Sequence, residues 1–176
     1  MRTARSKFSS HKQSHLNRSE FFSHEPDRLD ELVNGDPISE NNPQIRGGRT
    51  GSRAAALQAL YESDSSGHPA VTTVRRLAKE QGLATDEIDF ATRLVNKCEN
   101  QRNQLDSRIS KVASQFPSEQ MPLVERNILR VAIGELEMVD AAPESVVANE
   151  AVELARLFGS NSSVKFVNGV LGALLG

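Results

Sequence analysis

"LVERNILRVAIGELEMVD", residues 123–140, decides the fold. Leu123, Val124, Ile128, Leu129, Val131, Ala132, Ile133 and Leu136 fall almost all the way round a helix. A surface helix carries one apolar stripe, whereas a helix apolar on every side belongs in the middle of a protein. The stretch therefore predicts a central helix, and the segments on either side of it must supply amphipathic helices to cover it.

They do so in both directions. On the N-terminal side, "FPSEQMP" (116–122) is a break. Before it, Phe90, Leu94, Cys98, Leu105, Ile109 and Val112 recur at helical steps, which predicts one long helix from about Asp86. Cys98 lies on that stripe and reads as a packed small side chain rather than a nucleophile. "AVTTVRRLAKEQG" (70–82) gives Val71, Val74, Leu77 and Ala78, closed by Gly82. "RTGSRAAALQALYESD" (49–64) puts Ala56, Leu57, Leu60 and Tyr61 on one side. On the C-terminal side, Pro143 suits a first helical turn. "ESVVANEAVELARLFG" (144–159) turns Val147, Ala151, Leu154, Ala155 and Phe158 inward and ends at Gly159. "SNSS" (160–163) offers caps for a last helix, Val164 to Leu175. No stretch alternates with a period of two. The body is all-α, a bundle of six or seven helices.

Residues 1–45 differ. Their first half is Ser- and Arg-rich and their second half acidic, with Pro26, Pro37 and Pro43 and no sustained apolar period. This predicts a disordered tail, with the folded domain over 46–176. His11 and His15 have the spacing of helical metal ligands, but zinc takes four ligands and the segment offers no set. The basic start also has the character of a transit peptide, although the acidic half is an odd continuation.

Several classes of chemistry are missing. "GGRTGS" (47–52) has glycines but neither the lysine nor the preceding strand of a phosphate loop. No Cys/His cluster and no catalytic constellation appear, so neither a cofactor nor an enzyme is expected. One cysteine cannot form an internal disulfide, which fits a reducing cytoplasm. No run is long enough for a membrane span. The net charge of −2 means that any nucleic-acid surface must be local.

Two places could bind. Arg46, Arg49 and Arg53 lead into the first helix among Gly47, Gly48 and Gly51, and a basic flexible arm can follow a phosphate backbone. Tyr61 is then placed to stack on a base. On the arginines alone the plainer reading is a solubilising helix start, with Tyr61 a core edge. The second place is "VKFVNGVLG" (164–172), where Asn168 and Gly169 interrupt an apolar run. Glycine inside a helix costs roughly 1 kcal/mol against alanine. Phe166, Val170 and Leu174 make one stripe, and Val167, Leu171 and Leu175 its neighbour, leaving Asn168 beside Lys165. Gly169 and Gly172 leave a smooth strip for a ligand, or for a neighbouring helix of the same chain.

"ALQALYESD" (56–64), "ERNILRVAIGELE" (125–137), "VVANEAVELARLFG" (146–159) and "KFVNGVLGALL" (165–175), in this order and spacing, resemble the NusB family of bacterial transcription antitermination factors. The likeness runs from about Arg49 to the C-terminus. It implies two small packed helical sub-bundles and no enzyme activity. It implies binding of the boxA element of ribosomal RNA leader transcripts together with NusE, a small-subunit ribosomal protein, in the antitermination complex of RNA polymerase. By the same likeness Arg49, Arg53, Tyr61, Glu125, Arg130, Lys165, Phe166 and Asn168 are expected at or near RNA or the partner. The chain departs from the family where Thr50, Gly51 and Ala54 thin the basic helix start, and where Ser162 and Gly172 replace acids. Fewer phosphate contacts mean weaker and less salt-dependent binding. Two other readings stand beside this one. Some ribosomal RNA cytosine methyltransferases carry a NusB-like domain, although this chain leaves no room after its last helix for a methyl-donor domain. A homodimer would cover the RNA face with a second copy.

Overall fold

The computed structural model describes residues 47–113 and 120–176. The tail expected over 1–45, with His11 and His15, and most of the break at 116–122 lie outside the described residues. Among the described residues seven helices follow in order: α1 Gly48–Ser66, α2 Ala70–Glu80, α3 Thr85–Asn100, α4 Arg102–Val112, α5 Leu123–Leu136, α6 Glu144–Phe158 and α7 Asn161–Leu175. No strand occurs among the described residues.

α5 is the hub. Its residues Asn127 to Glu135 are all buried, as an all-round apolar helix requires. α1, α2 and α3 pack on one another, and α1 and α3 also meet α5. On its other sides α5 meets α4, α6 and α7. α1 can come close because its buried face is built from Ala54, Ala55, Ala56 and Ala59, each without exposed surface. α5 approaches α3 through Gly134, where a Cβ would stand 2.9 Å from Cys98 Sγ. Cys98 is packed there, its Sγ 3.4 Å from the Arg130 carbonyl oxygen, and burial pushes its thiol pKa up to about 12. It is a core side chain, not a nucleophile.

The local signals explain most helix ends. Gly67 and Gly82 take φ of 77° and 71°, the left-handed turn that stops α1 and α2. Ser160 caps α7, accepting from the Ser163 N–H, while Ser163 Oγ accepts from the Ser160 N–H at 2.8 Å. α7 consequently starts at Asn161, one turn before the expected Val164. Pro143 stands just outside α6 as its cap. The one long helix expected from Asp86 is two. Gln101, with φ −114° and ψ 16°, breaks the spiral between α3 and α4 without a proline or glycine nearby. α4 then lies against α5 and α7 instead of continuing the line of α3.

Candidate nucleic-acid interface

The start of α1 is electrically occupied. Uncapped helix N-terminal amides attract anions. Here the Glu87 carboxylate meets them, accepting from the Gly48 N–H and, through its other oxygen at 2.8 Å, from the Ala84 N–H. One acid thus caps α1 and α3 together.

Arg49, one residue on, remains at the surface with its side chain 44% exposed. Its guanidinium lies over the Phe90 ring at 4.5 Å and donates to the Asp140 carbonyl at 2.7 Å. Arg93 holds the same Asp140 carboxylate with a two-pronged contact, 2.9 Å at each oxygen. That contact, with Arg49 adding its charge, lowers the Asp140 pKa to about 2. Two guanidiniums thus share the Asp140 carboxylate, with Asp86 and Glu87 lining the same shallow site and Asp89 acting on Arg93 as a further negative charge. Arg93 went unrecognised in the sequence, because only the chain returning after α5 brings Asp140 to it, 47 positions away.

Arg53 and Arg130 have a different place from the one expected. Both are buried, 3% and 2% exposed. Arg53 donates to both oxygens of the wholly buried Glu135, each at 2.6 Å, and to Glu150 at 3.1 Å. Arg130 holds Asp106 at 2.6 Å through two nitrogens and Asp64 at 2.8 Å. Burial alone would lower both guanidinium pKa values; the hydrogen-bonded carboxylates more than offset it and leave them raised. A phosphate reaching either group would have to displace two carboxylates from a buried pair. These arginines tie α1 to α5 and α6, and α5 to α1 and α4.

Tyr61 is 43% exposed and borders an apolar groove of about 500 Å3 with Leu57, Leu77, Val124 and Phe158. The next residue of α5, Glu125, lines a second cavity. It accepts a hydrogen bond from Ser163 Oγ, so the first turn of α5 is tethered to the first turn of α7. Phe166, half-buried against the core, lines this cavity with Met121, Pro122 and Ser162. Glu125 and Phe166 are therefore brought together.

α7 buries Val167, Val170 and Leu171 and leaves Lys165, Asn168, Gly169 and Gly172 exposed. A Cβ at Gly169 or Gly172 would meet nothing within 4 Å. No helix among the described residues covers these glycines, so packing among those residues does not account for them. Among the described residues there is also no group of three acids, histidines or cysteines fit to hold a metal, and no helix long and apolar enough to cross a membrane.

Comparison with known proteins agrees with this architecture. The NusB family model matches residues 50–175. A transcription antitermination protein NusB of Dehalococcoides mccartyi is 42% identical over 126 residues, covering 72% of this chain and 88% of that protein. One from Chloroflexus aggregans is 40% identical over 125 residues, covering 70% of this chain and 83% of its own. Among solved structures, Thermotoga maritima NusB superposes with a TM-score of 0.67 at 26% identity, covering 72% of this chain and 89% of that one. The antitermination factors NusB and NusE in complex with double-stranded RNA give 0.65 at 28%, covering 72% and 94%. With an all-helical fold built round one buried helix and a match over nearly all of its described residues, the chain belongs to the NusB family of transcription antitermination proteins.

Proposed function

We propose that this protein binds boxA RNA of ribosomal RNA leader transcripts jointly with NusE and helps RNA polymerase pass terminators. The observation that carries the assignment is the uncovered face of α7. Lys165 supplies a cation, Asn168 a donor and acceptor, and Gly169 and Gly172 a surface with no side chain in the way. A helix paying for glycine and asparagine on an exposed face gains nothing in stability from them. Contact with another molecule explains their presence. Arg49 and Arg93 add exposed positive charge at the other candidate surface. The relative solved with NusE and RNA supports both partners. The work of such a factor places it in the cytoplasm, and it calls for no catalytic group.

The thinned basic start of α1, with Arg53 withdrawn into the core, leaves few cations for phosphate. RNA binding by this protein alone is therefore weak, and NusE tightens it. Titrating labelled boxA RNA at one salt concentration, with and without NusE, checks this: equal affinities would remove the cooperative surface. A shallow salt dependence, with few counterions released, is also expected.

A further inference from the structure

Most exposed cations of the described residues stand in ion pairs. Arg49 and Arg93 share Asp140, Lys97 and Arg108 share Glu137, and Arg156 holds Glu153. Arg75, Lys79, Lys111 and Lys165 have no such partner among the described residues. Two of these four lie on one helix. Arg75 and Lys79 of α2 are both exposed, and their spacing of four residues puts them on one side, one turn apart. The positions that could carry a helical counter-charge hold none: Val71, Thr72 and Ala78 around Arg75, and Gly82 and Leu83 beyond Lys79. Lys79 instead has Arg75 and Arg76 on its N-terminal side, and like charges at this spacing weaken a helix. The negative end of α2 accounts for a cation in its last turn, at Lys79. That effect fades beyond the last turn and leaves Arg75 without an internal use. The neighbouring acids do not cancel the pair. Glu62 and Glu80 are both taken by Arg76. On α3, Asp86 lines the shallow site of Arg49 and Arg93, Asp89 acts on Arg93, and Glu87 caps two helices.

Resting on the RNA-binding assignment above, we propose that Arg75 and Lys79 form a second RNA contact, which holds backbone phosphates outside the boxA element without reading their bases. Contacts to phosphate position a strand and carry no sequence information. This surface lies on a helix that packs on α1 and α3, apart from the face of α7. It supplies phosphate contacts that the thinned start of α1 lacks. An acidic protein would meet the same two cations, but RNA has the advantage of being tethered. The element is part of a longer transcript, so once it is bound its flanks are held near the protein at high effective concentration. Two cations then suffice to capture them, although they would bind a free strand weakly.

The test uses the full chain with NusE and two kinds of RNA: boxA alone, and boxA extended by about 12 nucleotides on each side, with flanks of two unrelated sequences. Two phosphate contacts add about 1.4 to the slope of log affinity against log salt for a single strand. The advantage of the longer RNA therefore shrinks about sevenfold between roughly 50 and 200 mM salt, and it is the same for both flanking sequences. Arg75→Gln combined with Lys79→Gln removes the extra slope and leaves affinity for boxA alone unchanged; each single variant removes about half of it. Exchanging the two cations, Arg75→Lys with Lys79→Arg, keeps the advantage, because the contact uses charge. The proposal is overturned if the longer RNA shows no steeper salt dependence than boxA alone, or if the double variant keeps the extra slope or weakens both RNAs alike. It is also overturned if the double variant changes only NusE affinity, which would make the ridge a protein contact. In those cases boxA binding by the wild type still stands; absence of binding to every RNA removes the RNA assignment as well.

Discussion

α5 and α7 each contain glycine within a helix, in opposite settings. Gly134 of α5 lies where a Cβ would stand 2.9 Å from Cys98 Sγ, while Gly169 and Gly172 of α7 face nothing within 4 Å. In α5 the glycine lets two helices close up. In α7 the same residue type has no packing use among the described residues. Arginine divides likewise: Arg53 is buried on a buried acid, whereas Arg49, one turn earlier on α1, is exposed. Glycine or arginine signals structure or contact only once its neighbour across the fold is known.

The largest effect that could break this contrast is at Arg53. Arg53→Ala leaves Glu135 fully buried and without its partner. Breaking one side of a buried pair costs on the order of 3–5 kcal/mol, read as a lower urea midpoint. RNA affinity per folded molecule stays the same. A stable Arg53→Ala protein with weakened RNA binding and a reduced salt slope would return Arg53 to the interface.

The glycines come next. Gly134→Ala overpacks the α3–α5 contact at roughly 1–3 kcal/mol, and pairing it with Cys98→Ala restores part of the loss, because the clash is with Sγ. Gly172→Ala goes the other way. With open space at the Cβ and an ordinary helical position, it stabilises by up to about 1 kcal/mol. If instead Gly172→Ala destabilises, something covers that face in the free protein.

The smallest effect is at Asp140. Its folded pKa, about 2, lies below the ordinary carboxylate value, chiefly through the Arg93 hydrogen bonds. A depressed carboxylate contributes stability above its unfolded pKa, and the contribution is lost as pH falls through about 2. Both partners are exposed, so that contribution is minor and screened by salt. The direct readout is the carboxyl titration by NMR, which Arg93→Ala moves back up. A midpoint unaffected by Arg93→Ala would show that Asp140 is not held there.

Much of this was legible in the sequence. The central burial of 127–135 within the stretch 123–140, the stops at Gly82 and Gly159 and the cap in "SNSS" are local signals, set by side chains within a few residues of where they act; the end of that stretch, with Val139 fully exposed, was not expected. The break at Gln101 was not legible, because the helical stripe continues across it and packing of α4 against α5 and α7 determines the turn. The candidate site divides in the same way. That Lys165 and Asn168 are exposed follows from the period of α7. That Arg53 is buried does not follow from α1, because its partner Glu135 is 82 residues away. The tether from Ser163 to Glu125 spans 38 residues and was equally hidden.

The central claim is that the open face of α7 exists for contact, and Asn168→Ala tests it most directly. The variant's melting temperature and its affinity for boxA RNA with NusE are measured side by side. An exposed helical position changes stability by no more than about 0.5 kcal/mol, so melting stays close to wild type while the complex weakens; Lys165→Ala behaves alike. An Asn168→Ala protein that unfolds readily, while its folded fraction binds RNA and NusE normally, would make Asn168 a structural tie and contradict the account.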